Sequence, residues 1–446
     1  MVAAGETRTA QGSLLRLNAD GRCPITEVMQ VTRPRLLAPV AFAAFTTFLM
    51  AWVGLGSPGF NDFDNEALPP YTALRAGDIA GFFDKLPGYG GSLLMRAPAV
   101  LISDWLGGGD DALFRAVSIP CLLALAALGV ALFSLQDRPA AAWLTLAVVT
   151  LNPLTLRALE TGHAEELLGA ALCTGAVLVA LRGRPIAAGV LLGLAIGNKA
   201  WALLAIGPVA LALRSGYARA AAATVLAGAL TWGPVLVASA GRAHPAPVTG
   251  AIFQPWQVWW FTGEHGHEVR GITGAIKPGF RAAPTWLSAV PHPLIVVVGF
   301  ALSAAAAAVR GRRREDALLL LALALFVRCW LDPWNTTYYV IPAVTALAAW
   351  EAMRGRMPLG ALALTGLSWL TLQTLPGALS PDLQAAAYLA WALPFTGLLA
   401  LRVFAPATAR AQLTKVRLFG SPLSTSAPVS VTATRSSMRT PTAPGR

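Results

Sequence analysis

Three carboxylates crowd the run NDFDNEALPPY. Asp62, Asp64 and Glu66 fall within five residues, directly after an apolar stretch long enough to span a bilayer. A carboxylate at a membrane surface can take the proton of an attacking hydroxyl as a general base. Asp64 is the leading candidate for that role, with Asp62 and Glu66 as alternatives. The same acids could instead solvate the loop, help set topology or cap the helix expected near Leu68. The opposite charge comes from Lys199, at the Asn198-Lys199 break of an apolar block, and from Arg157. Either cation could hold a phosphate, whereas Lys199 could also anchor at the interface with its ammonium in water and Arg157 could pair with Glu160. In GHAEE, His163 and Glu165 could contact substrate, or the acids could complement a helix N-terminus. His163 and Glu166 lie three apart on one face, but two ligands do not make a metal site. EHGHE at 264–268 offers ligand types without a third element, so no metal or other cofactor is expected.

Two further polar runs complete the set. LDPWNTTYY carries Asp332, Asn335, Tyr338 and Tyr339, which could line an acceptor site or simply build a turn. Arg328, one helical turn earlier, could pair with Asp332 or meet a phosphate. Trp260, with Trp256, Trp259 and Phe261, could stack on a sugar or belong to an interfacial aromatic belt.

Composition dictates what must position these groups. With 55% hydrophobic and 13% charged residues in long apolar blocks, the 446-residue chain reads as an all-α, polytopic transmembrane bundle. The net charge of +12 is a topology signal rather than a nucleic-acid one, because most cations sit in short loops and tails beside apolar spans. Arg outnumbers Lys 30 to 4 and Ala is abundant, which points to a GC-rich bacterial genome and hence a bacterial inner membrane. Cys23, Cys121, Cys173 and Cys329 are scattered and form no framework. Residues 1–35 and 404–446 read as disordered cytoplasmic tails flanking a membrane domain at 36–403. Within that domain 56–111 and 240–289 are outer loops. In the first of them ALPPYTALRAGDIAGFFDKL has the spacing of an interfacial amphipathic helix. Apolar blocks mark about twelve spans, with both termini inside. Crossing 186–213 in one pass would put Arg214 and Arg219 outside. Splitting it at Asn198-Lys199 returns them inside and sinks Lys199 below the outer surface.

The run DFDNEALPPYTALRAGDIAGFF resembles the first outer loop of the GT-C superfamily of polyprenyl-phosphate-dependent membrane glycosyltransferases. LETGHAEELLGAAL and GVLLGLAIGNKAWALLAIGPVAL are similar to motifs of its bacterial mannosyltransferase-like branch, although His163 and Glu165 stand where amide residues are usual. The resemblance covers roughly residues 50–350. It implies inverting transfer of a sugar, mannose in that branch, from a polyprenyl-phosphate donor to a glycolipid or polysaccharide acceptor on the outer face. On such a donor the lipid phosphate is the leaving group, so one base and a few cations suffice. A secondary transporter would also have about twelve spans and a broken helix, and a non-catalytic lipid carrier would need no base. The long acidic outer loop and the lack of a detectable repeat argue against the transporter.

Overall fold

A computed structural model describes residues 34–55, 62–87, 90–238, 254–265, 268–270, 276–309 and 314–405. The predicted tails lie almost wholly outside the described residues, as do Asn61, 239–253 of the second outer loop, and His267 of the EHGHE run. The described residues are helical, joined by turns and two isolated β-bridges. Sixteen α-helices follow one another. They are α1 (Pro34–Gly54), α2 (Leu68–Arg75), α3 (Ile79–Asp84), α4 (Gly90–Arg96), α5 (Gly109–Phe133), α6 (Pro139–Thr150), α7 (Pro153–Glu160) and α8 (Ala164–Leu181). Then come α9 (Pro185–Asn198), α10 (Ile206–Ala212), α11 (Tyr217–Ala238), α12 (Pro291–Ala308), α13 (Asp316–Leu331), α14 (Ile341–Met353), α15 (Leu359–Trp369) and α16 (Pro381–Phe404). Proline opens α6, α7, α9, α12 and α16, where its missing N–H and fixed φ cost nothing.

Among the described residues, seven helical segments are long and apolar enough to cross a bilayer. Each of the twelve predicted spans contains helix, but the other five fall on shorter pieces such as α9 and α13. Two local expectations change in form. The single interfacial helix is two, α2 and α3, because the chain turns at Gly77 with φ of 79°. The predicted span at 139–156 is α6 followed by α7, restarted by Asn152, whose side chain accepts the Leu154 N–H at 2.9 Å. The break after α9 falls where the charge pattern put it, with Lys199 extended (φ −154°) between α9 and a 3₁₀ segment at Ala200–Ala205.

The layering follows from what each face meets. Helices α13 and α14 are buried along nearly their whole length, and α8 has 72% of its apolar window buried, against 22% for α16. The outer helices α1, α11, α12 and α16 expose apolar side chains such as Trp52, Leu230 and Val297, as a lipid-facing surface requires. Between α9 and α11 the contact is close because Gly189 and Gly193 present bare backbone. A Cβ at Gly193 would collide with the Thr224 carbonyl and one at Gly189 with that of Ala220. Gly193→Val is therefore expected to destabilise the bundle by about 1–3 kcal/mol, read as a lower unfolding midpoint in detergent. An unchanged midpoint would mean that the two helices part without penalty.

Candidate active site

One end of the bundle gathers Asp62, His163, Glu165, Glu166, Lys199 and Arg328. Helix α8 begins there and runs roughly 27 Å at 1.5 Å per residue to the opposite end. At that far end Arg314 donates to the carbonyls of Ala180, Leu181 and Ala212. The acidic loop after α1 reaches the start of α8 through Gly162, which has φ of 86° and sits so close that a Cβ would lie 2.5 Å from the Phe63 nitrogen. Only glycine permits both features. The Asp62 N–H donates to the Thr161 carbonyl at 3.1 Å, and Phe63 is buried against Phe114 with ring centroids 4.5 Å apart. Tyr71 donates its hydroxyl to the Leu93 carbonyl at 3.0 Å, tying α2 to α4.

These contacts fix the register of the acidic run. Asp62 points inward, with Oδ2 2.7 Å from His163 Nε2. On the other side of the ring, Nδ1 lies 2.9 Å from Glu165 Oε1. Glu165 is 1% exposed and faces Lys199 at 2.9 Å and Arg96 at 3.7 Å. Lys199 also meets Glu166 at 3.1 Å, and Glu166 faces Arg328 at 3.7 Å. Trp201 donates its indole N–H to Glu166 at 3.3 Å. Neutral groups brace this chain: Asn198 donates to the Glu165 carbonyl at 2.8 Å and accepts from Ser92 at 2.9 Å. Tyr338 stacks on His163 at 4.2 Å, while the Arg328 guanidinium lies 4.3 Å over Tyr339. Breaking a buried pair of this kind costs about 3–5 kcal/mol, although a well-packed apolar substitute for the whole set would often be as stable. Stability alone therefore gives little reason to build such a chain.

Burial works against a charged His163, but its hydrogen bonds to Asp62 and Glu165 outweigh that and raise its pKa from 6.5 to about 9. A raised cationic pKa contributes stability that is complete below the unfolded value near 6.5 and is lost as pH climbs through about 9. Unfolding midpoints measured from pH 6 to pH 10 should therefore fall more steeply for the native chain than for His163→Gln. Parallel curves would leave His163 outside the linkage.

The remaining predicted residues divide cleanly. Asp64 is exposed. Partial burial, then the Asp110 and Asp111 carboxylates, push its carboxyl above the ordinary range. Glu66 is half-buried in the same π-helical turn, Phe63–Ala67. Arg157 pairs with Glu160 at 3.1 Å. Arg328 turns to Glu166 for its ion pair rather than to Asp332. Asp332 accepts the Trp334 N–H at 2.9 Å, and Asn335 donates to the Trp256 carbonyl at 2.7 Å, so both build the turn that presents Tyr338 and Tyr339. Trp260 lies elsewhere. It is fully buried, donates to Asp382 at 2.8 Å and is covered by Arg281, which leaves no ring face for a sugar. Sequence reasoning missed Arg96 and Ser92. Their one signal is a polar residue stranded among apolar neighbours, as in GGSLLMRAPAVLI.

A model of glycosyltransferase family 87 matches residues 93–333, more than half of the chain. The chain belongs to glycosyltransferase family 87. No curated protein matches it, and no solved structure does. Family 87 membership makes the protein a membrane glycosyltransferase, with a sugar donor and an acceptor as its substrates. The matched region holds Arg96, His163, Glu165, Glu166, Lys199 and Arg328, whereas Asp62, Asp64 and Glu66 precede it.

Proposed function

We propose that this family 87 protein moves a sugar, mannose by its motif resemblance, from a polyprenyl-phosphate donor to a lipid or glycan acceptor. An aspartate of the first outer loop is the base, and the geometry favours Asp62. The observation that carries this reading is the continuous path from Asp62 through His163 and Glu165 to Lys199 at one end of the bundle. The acceptor oxygen attacks the anomeric carbon from the face opposite the phosphate, and its proton passes to the Asp62 carboxylate. The bond from that carbon to the phosphate oxygen breaks, and the electron pair leaves with the polyprenyl phosphate. One displacement inverts the anomeric centre, and no second carboxylate nucleophile is required.

Charge supports an anionic lipid in the site. Three carboxylates, Asp62, Glu165 and Glu166, face four cationic groups, Arg96, His163, Lys199 and Arg328, so protonated His163 leaves an excess of one positive charge. A departing phosphate would be stabilised there. A lipid chain also has room nearby. Leu74, Leu94, Ala97, Pro98 and Leu101 line an apolar cavity of about 500 Å³, with Arg75 and Asp104 on its wall. Helix α4 separates the two regions, sending Ser92 and Arg96 to the charged cluster and Leu94 to the cavity. The basic loops lie at the opposite end, which the positive-inside rule assigns to the cytoplasm of a bacterial inner membrane. Twelve crossings with both termini inside fit that orientation, with Asp62 on the outer face.

The test is a pair of assays on the purified chain in liposomes. Radiolabelled sugar should pass from a polyprenyl-phosphate donor to a lipid acceptor without uptake of free solute. Solute accumulation without transfer would favour a secondary transporter, and lipid movement alone would favour a carrier without catalysis.

A further inference from the structure

We propose that His163 is a positioning residue for the first-loop base. Its imidazole clamps Asp62 from inside the bundle and holds the carboxylate in the orientation in which it receives the acceptor proton. The proposal rests on the reading of Asp62 as base given above. Its ground is the way both ring nitrogens are used. Nε2 lies 2.7 Å from Asp62 and Nδ1 2.9 Å from Glu165. Both partners are carboxylates, which accept and do not donate when ionised. Only the imidazolium, with a proton on each nitrogen, can donate to both. A neutral ring satisfies one and sets a lone pair against the other.

The clamp is fixed on three sides. Glu165 is anchored by Lys199 at 2.9 Å and Arg96 at 3.7 Å, Tyr338 covers the ring face at 4.2 Å, and the Asp62 backbone is tied to Thr161. Asp62 gives only Oδ2 to the clamp. Its other oxygen makes no hydrogen bond among the described residues, and the side chain keeps 26% of its exposure. One oxygen is held while the other is left for a hydroxyl. The charged and titratable groups facing His163 are Asp62 from the first loop, Glu165 and Glu166 from α8, and Arg96 from α4. Lys199 after α9, Arg328 from α13, and Tyr338 and Tyr339 before α14 complete the surround.

Transfer kinetics of the full chain in liposomes, measured as kcat against pH, test this. Wild-type kcat should fall as pH rises through about 9, where the ring loses its second proton. His163→Gln should lose about 10- to 100-fold in kcat with little change in donor KM, and should lack that alkaline fall. Glu165→Gln keeps the ring but removes one of its acidic partners, so its alkaline fall should move to lower pH. It decides the matter if His163→Gln does not fold. An alkaline limb at the same pH in wild type and in every folded variant overturns the clamp and leaves His163 a packing residue. Retained transfer by Asp62→Asn would instead overturn the base reading itself, so the two failures are distinguishable.

Discussion

Asp62→Asn is expected to lower sugar transfer by about 10²–10⁴-fold, the range that a positioned general base contributes. The substitution is nearly isosteric, and the amide oxygen can still accept from His163, so the first loop should stay docked on Gly162 and the protein should elute and unfold as wild type does. Asp64→Asn is the matched control. That carboxylate is exposed and lies in the field of Asp110 and Asp111. Its raised pKa would suit a base, but the carboxylate that meets His163 is that of Asp62. Transfer by Asp64→Asn should therefore stay within a few-fold of wild type. The reverse result, with Asp62→Asn active and Asp64→Asn dead, would move the base two residues along the loop and detach the His163 clamp from the reaction.

The choice between those two aspartates marks where sequence reasoning stops. That the acidic run could carry chemistry is legible, because three carboxylates beside an apolar span are expensive to leave there. Which of them turns inward was not. It depends on the π-helical turn at Phe63–Ala67 and on the close approach of Gly162, a contact between segments 99 residues apart that no local periodicity encodes. The break at Asn198-Lys199 was legible for a different reason. A single crossing would have put Arg214 and Arg219 on the wrong side, so charge bookkeeping alone demanded it. The partners of Lys199 were only half legible. Glu165 and Glu166 stand in a motif of evident chemistry, but its spacing points to substrate contacts or dipole complements rather than to a buried cation. Arg96 carries no signal of its own, since nothing in the alternation of GGSLLMRAPAVLI tells an interfacial arginine from a buried one. Trp260 fails in the opposite direction. Aromatic clustering is common to sugar platforms and membrane belts, and its fate was set by Asp382, 122 residues away.

Lys199→Met should cost more stability than any other single change in the cluster. The ammonium touches both buried acids, at 2.9 Å to Glu165 and 3.1 Å to Glu166, while Arg96 and Arg328 stand off at 3.7 Å. Removing it leaves two carboxylates, 1% and 0% exposed, Glu165 with His163 at 2.9 Å and Arg96 at 3.7 Å, and Glu166 with Trp201 at 3.3 Å and Arg328 at 3.7 Å. Breaking one partner out of a buried pair costs about 3–5 kcal/mol, much of it the penalty for stranding the other charge. Two roles are superposed at this residue: it neutralises the buried acids, and in the proposed reaction it faces the departing phosphate. The double variant Lys199→Met/Glu166→Gln separates them. Neutralising Glu166 removes the stranded charge, so the double variant should recover most of the lost unfolding free energy in detergent, while its transfer rate stays as low as that of the single variant. Recovery of both stability and transfer would reduce Lys199 to a counter-ion for the bundle. Neither recovering would mean that Glu165, not Glu166, is the acid whose charge Lys199 is there to balance.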